Sequence, residues 1–139
     1  MRAKKTNRTI LAGITLMAIL SSGIAIAGSE LRTQTRLKGP RAVAGPMSGK
    51  AKFSNRLDKA RRKFSVEIER ATPGDMYDVM VSGVVVGTVF VDALGIAELD
   101  YDDTAGAGDR DQRFPRNFPE IDGGEVVQVG PLTGTMQLK

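Results

Sequence analysis

The 139-residue chain has no cysteine, no histidine and no tryptophan. Without thiols it can form no disulfide, offer no thiolate as nucleophile or metal ligand, and carry no lipid-modified cysteine. Without imidazole it lacks Ser-His-Asp triads, histidine general bases and histidine-ligated zinc or copper. A Ser-x-x-Lys pair is also missing, because Ala51, Leu57, Ile68 and Val85 stand three residues after Ser48, Ser54, Ser65 and Ser82. Aromatics are few, with two Tyr and five Phe. That is a poor supply for the aromatic-lined cleft of an enzyme acting on sugars. These absences predict a protein that is not an enzyme, with no cofactor other than a possible calcium ion.

What is present begins with a targeting pattern. Arg2, Lys4, Lys5 and Arg8 precede an apolar run from Ile10 to Ile26, and Ala25-Ile26-Ala27 supplies small residues for cleavage before Gly28. Residues 1–27 are therefore expected to be a helical signal peptide of an exported protein, periplasmic or extracellular, that meets the membrane only through this leader. The competing reading is an uncleaved anchor, for which the run is short. Residues 28–139 hold 16 basic and 16 acidic residues, so the surplus of positive charge lies in the leader. Net charge gives no reason to expect nucleic acid as a partner.

The signs are nonetheless segregated. Residues 28–72 carry 12 basic and 4 acidic residues, and residues 73–139 carry 4 and 12. One explanation is that basic and acidic strands pair across a sheet, where opposite charges support register. The other is a polarised surface whose basic side meets an anionic polymer, such as a wall or matrix polysaccharide.

The fold signal is period-two alternation. Phe64, Val66 and Ile68, then Tyr77, Val79 and Val81, a valine-rich run from Val84 to Val91, and Ala97, Leu99 and Tyr101 are separated by Pro73-Gly74, Ser82-Gly83 and Gly95. Four consecutive antiparallel strands follow from this pattern. Ala51 and Phe53 mark another strand, and Glu125–Val129 and Leu132–Leu138 two more. The expectation is an all-β domain over residues 49–139, an antiparallel sandwich of about seven or eight strands. A polar segment, 28–48, precedes it with a marginal edge strand through Leu31, Thr33, Thr35 and Leu37. An irregular loop, 102–124, is expected to be pinned to the sheet by Phe114-Pro115 and Phe118-Pro119.

Pro73-Gly74 followed by Tyr77 at the start of a strand resembles the tyrosine corner of immunoglobulin-like and fibronectin type III sandwiches. The resemblance covers Phe64 to Val81 and implies an immunoglobulin-like architecture, with the Tyr77 hydroxyl bonded to backbone upstream. A second feature is an echo. Gly45-Pro46-Met47-Ser48-Gly49 and Gly130-Pro131-Leu132-Thr133-Gly134 share one pattern, which predicts equivalent jobs at the two ends of the domain, as neighbouring strands.

Two charged clusters are candidate sites. Asp100, Asp102, Asp103, Asp109 and Asp111 offer hard oxygen ligands for calcium, though Ala105 and Asp111 stand where an EF-hand needs glycine and glutamate. Two of the same carboxylates at the right separation could also hydrolyse a glycosidic bond. Arg56, Lys59, Arg61, Arg62 and Lys63 form a basic hairpin that could hold an anionic polymer, without the interleaved aromatics of a single-strand nucleic-acid site. The preferred expectation is a non-enzymatic binding or structural module of the cell envelope or extracellular matrix, partnered by a polymer or protein there. The alternative is a calcium-binding module or a carboxylate-based hydrolase using the acidic loop.

Overall fold

The computed structural model describes residues 30–106 and 108–139, so the expected leader and its cleavage point lie outside the described residues. Alternation becomes two antiparallel sheets packed face to face. The first contains β1 (Glu30–Leu37), β2 (Ser48–Arg56), β3 (Arg61–Glu69), β6 (Ala97–Asp102) and β9 (Gln137–Leu138), in the order β6-β3-β2-β1-β9. The second contains β4 (Met76–Val81), β5 (Val84–Phe90), β7 (Val126–Val129) and β8 (Leu132–Thr135), in the order β5-β4-β7-β8. A four-residue helix, α1 (Arg41–Ala44), joins β1 to β2.

The alternating apolar residues do what their period requires. Phe53, Phe64, Val66 and Ile68 point inward from one sheet and meet Val79, Val81, Val127 and Val129 from the other, all nearly free of solvent contact. The four strands foreseen between Lys63 and Tyr101 divide between the layers. β4 and β5 form a hairpin in the second sheet, and the chain then crosses back so that β6 pairs with β3. Ser82 and Gly83 both take positive φ, of 50° and 79°, in a two-residue hairpin turn whose twist suits the flanking strands.

Four expectations need correction. The strand called a marginal edge is full length: β1 pairs with β2 over all eight of its residues and is flanked on its other side by β9. The terminal strand splits at the buried Met136, its first part pairing with β7 and its second with β1, which brings the strand count among the described residues to nine. A chain that must serve both layers bends between them. The two Gly-Pro segments are not neighbours. They lie on opposite sides of β1, where Leu37 pairs with Gly49 and Lys38 bridges to Thr133.

Tyr77 is the fourth. Its hydroxyl donates to the Asp75 carboxylate at 2.9 Å, not to upstream backbone. Its ring lies against Gly130, where an added Cβ would come within 2.5 Å of it. Gly130 also holds φ 54°, so both its conformation and its missing side chain are used. The buried tyrosine that bonds backbone is Tyr101. In the β4–β5 ladder Val79 pairs with Gly87 but Met80 pairs with Val85, leaving Val86 as the extra residue of a bulge. The Tyr101 hydroxyl crosses from β6 to donate to the Val86 carbonyl. Gly87 leaves room for it, because a Cβ there would meet that hydroxyl.

The long loop is pinned as its Phe-Pro pairs predict. Phe118 packs 5.0 Å from Phe64 and 4.7 Å from Phe114, ring centre to ring centre, and Phe114 lies 5.6 Å from Tyr101. Gln112 exchanges backbone hydrogen bonds with Asp100 and Asp102, so the loop covers the open edge of β6.

Candidate functional site

The basic hairpin and the acidic cluster are adjacent in space, and most of their charge is spent on each other. Arg61 donates from Nε and Nη2 to the two oxygens of Asp102, at 3.2 and 2.7 Å. Arg62 does the same to Asp103, at 2.9 and 3.1 Å, and its guanidinium stands 4.5 Å over the ring of Phe114. Lys63 lies 3.4 Å from Asp102 and 3.8 Å from Asp111. Arg56 reaches Asp58 at 3.5 Å, while Lys59 makes no ion pair among the described residues.

Asp102 is the centre of this network. It is buried, and it also accepts from the Thr104 backbone N–H and hydroxyl, at 2.9 and 2.8 Å. The Arg61 guanidinium chiefly, helped by Thr104 and Lys63, holds its carboxyl well below the usual range against the opposing effect of burial. Asp100 shifts the other way, raised by burial and then by Asp111 and Glu98. Asp109 turns inward on its own loop and accepts the Gly106 N–H at 2.6 Å. Among the described residues no three carboxylates converge to hold a metal ion. Both oxygens of Asp102 and of Asp103 already face cations.

A second group of cations was missed by reading along the chain. The outer face of the first sheet carries the residues between the buried ones, and register lines them up across strands. One row runs Arg36, Lys50, Glu67, Glu98 through β1, β2, β3 and β6. The next runs Gln34, Lys52, Ser65, Asp100, and the one after it Arg32, Ser54, Lys63, Asp102. Positive charge therefore occupies β1 and β2, and negative charge occupies β6 and part of β3. The expectation that opposite charges pair across the sheet holds for Lys50 with Glu67 at 3.1 Å and for Lys63 with Asp102. It fails at Arg36 opposite Lys50 and at Glu67 opposite Glu98, where like charges face each other in register. Each such pair is unfavourable by roughly 0.2–1 kcal/mol, and alternating the signs along that row would remove both.

Arg36, Lys38, Lys50, Lys52 and Lys139 line a hollow of about 700 Å³, walled on the far side by Thr135 and Gln137. Arg36, Lys38 and Lys52 are exposed and make no ion pair among the described residues. Lys50 shares its charge with Glu67, and Lys139 donates to the Gln34 side-chain oxygen at 3.1 Å. No aromatic ring and no Asp or Glu side chain lines this hollow. Its cations create a local positive potential that favours anions. The pattern visible in advance was cations at alternate positions, Arg36 and Lys38, then Lys50 and Lys52. No protein-family model matches the chain, and no curated protein matches it in sequence.

Proposed function

We propose that the chain is an exported, non-enzymatic β-sandwich module that holds an anionic polymer of the cell envelope or extracellular matrix on the outer face of β1 and β2. The observation that carries this reading is the set of cations without an ion pair among the described residues, Arg36, Lys38 and Lys52, gathered with Lys50 and Lys139 around one hollow. Their mutual repulsion lowers stability, and a bound polyanion reverses its sign.

Architecture agrees with such a role. We read the sandwich as immunoglobulin-like, because the sheet order β5-β4-β7-β8 follows the C′-C-F-G order of variable-type domains and β6 beside β3 follows E beside B. On this reading β4 is strand C, so Tyr77 is not the tyrosine corner, which belongs near the start of strand F. β1 and β9 extend the other sheet beyond strand A, and β1 is the strand that carries half of the basic face.

Chromatography on an immobilised acidic polysaccharide tests the reading. The chain should be retained at low salt and released as salt screens the charges. Arg36→Glu with Lys52→Glu should abolish retention, whereas Lys59→Glu on the hairpin should leave it unchanged. Retention that survives the double substitution would remove the proposal.

A further inference from the structure

We infer that the basic face is a single track for one linear polyanionic polysaccharide running parallel to β1 and β2, and that the acidic half of the same sheet sets its direction and width. This rests on the functional reading above. Residues two apart on a strand repeat every ~6.7 Å, so the rows from Lys38 to Arg32 span about 20 Å. Neighbouring strands are only ~4.8 Å apart, so the cations of β1 and β2 form a stripe that one extended chain covers.

The borders of the stripe are chemical. On one side stand Glu67 and Glu69 of β3, then Glu98 and Asp100 of β6. A polyanion laid across the strands would meet them within two strand spacings and be repelled, whereas the lengthwise course keeps its anions beside Lys38, Arg36, Lys50 and Lys52, until Glu30, paired with Arg32 at 2.9 Å, closes the end of the stripe. On the other side Thr135 and Gln137 rise as the wall of the hollow. Gln34, Thr135 and Gln137 add amide and hydroxyl groups between the cations, which suits a ligand with hydroxyls between its charges. Without an aromatic ring the hollow offers nucleobases no surface to stack on, and it offers a neutral sugar ring none either.

A length series of oligogalacturonates titrated calorimetrically into the full chain tests the track. Affinity should climb with length and level off once the oligomer spans the stripe, and Arg36→Glu or Lys52→Glu should each weaken it about tenfold. Glu69→Lys combined with Glu98→Lys, both at exposed positions, should remove the border, strengthen binding and shift the plateau to longer oligomers. Thermal melting of each variant separates lost binding from lost folding. An unchanged plateau in the border variant would overturn the track while leaving polyanion binding intact. Equal affinity for a poly-glutamate peptide of matched charge would overturn the polysaccharide assignment. Failure of the unaltered chain to bind any polyanion would take the functional reading down with it.

Discussion

Two groups of cations share the first sheet and meet opposite fates. At the β2–β3 hairpin the basic residues are close in sequence, and the end of β6 with the loop after it brings Asp102, Asp103 and Asp111 onto them. Along β1 and β2 the basic residues come from separate segments, and the neighbouring strand faces them mostly with more cations or with neutral groups. The first group serves the fold: two bidentate arginine pairs and one cation–π contact hold the loop against the sandwich. In the second group Lys50 pairs with Glu67, while Arg36, Lys38 and Lys52 are left facing solvent without an ion pair among the described residues. A run of charge in a sequence is thus a poor guide to a charged surface, since a partner run elsewhere can cancel it.

The contrast can be broken from either side. The largest effect is expected where loop and hairpin rest on a common ring. Phe64→Ala should cost about 3–5 kcal/mol, read by denaturant unfolding, because a fully buried ring that seats Phe118 is removed. Next comes Asp102→Ala, expected to cost about 1.5–3 kcal/mol by deleting hydrogen bonds to charged groups. The same change frees Arg61 and leaves Lys63 with Asp111 alone, so the hairpin should hold a polyanion more tightly than in the unaltered chain.

Acid should reproduce that loss. The Asp102 carboxyl titrates lower folded than unfolded, so its contribution is complete above the unfolded value of about 3.9 and fades as pH falls through the folded one. Asp102→Asn should flatten the acid limb of the stability profile. Tyr101→Phe should follow, at about 1–3 kcal/mol, since the Val86 carbonyl at the bulge loses its partner. The smallest change in stability has the opposite sign. Arg36→Glu places a carboxylate opposite Lys50 and should stabilise the fold by about 0.2–1 kcal/mol, seen as a slightly higher melting temperature, while weakening polyanion binding.

The sandwich was legible wherever apolar residues alternate strictly, as in β3, β4 and β6. β1 was under-read because its inward positions include Thr33, a buried threonine whose hydroxyl has no hydrogen-bond partner among the described residues, so the apolar signal there is thin. The bulge at Val86 sits inside an unbroken run of valines that shows no change of period. The splitting of the last strand depends on which neighbours its halves find. The candidate face was hidden for a related reason. Arg36 meets Lys50 through strand register and Lys139 arrives from the far end of the chain, so the group exists only after folding. The hairpin cations and loop aspartates were visible as compositional runs, and their mutual neutralisation depends on β3 pairing with β6.

The most direct measurement is a two-dimensional ¹⁵N NMR titration of the chain with a short acidic oligosaccharide. The account predicts that backbone shifts move first and furthest at Arg36, Lys38, Lys50, Lys52 and Lys139, with the β2–β3 hairpin and the second sheet still. Shifts centred on Arg61, Arg62 and the loop after β6, or spread evenly over the surface, would contradict it.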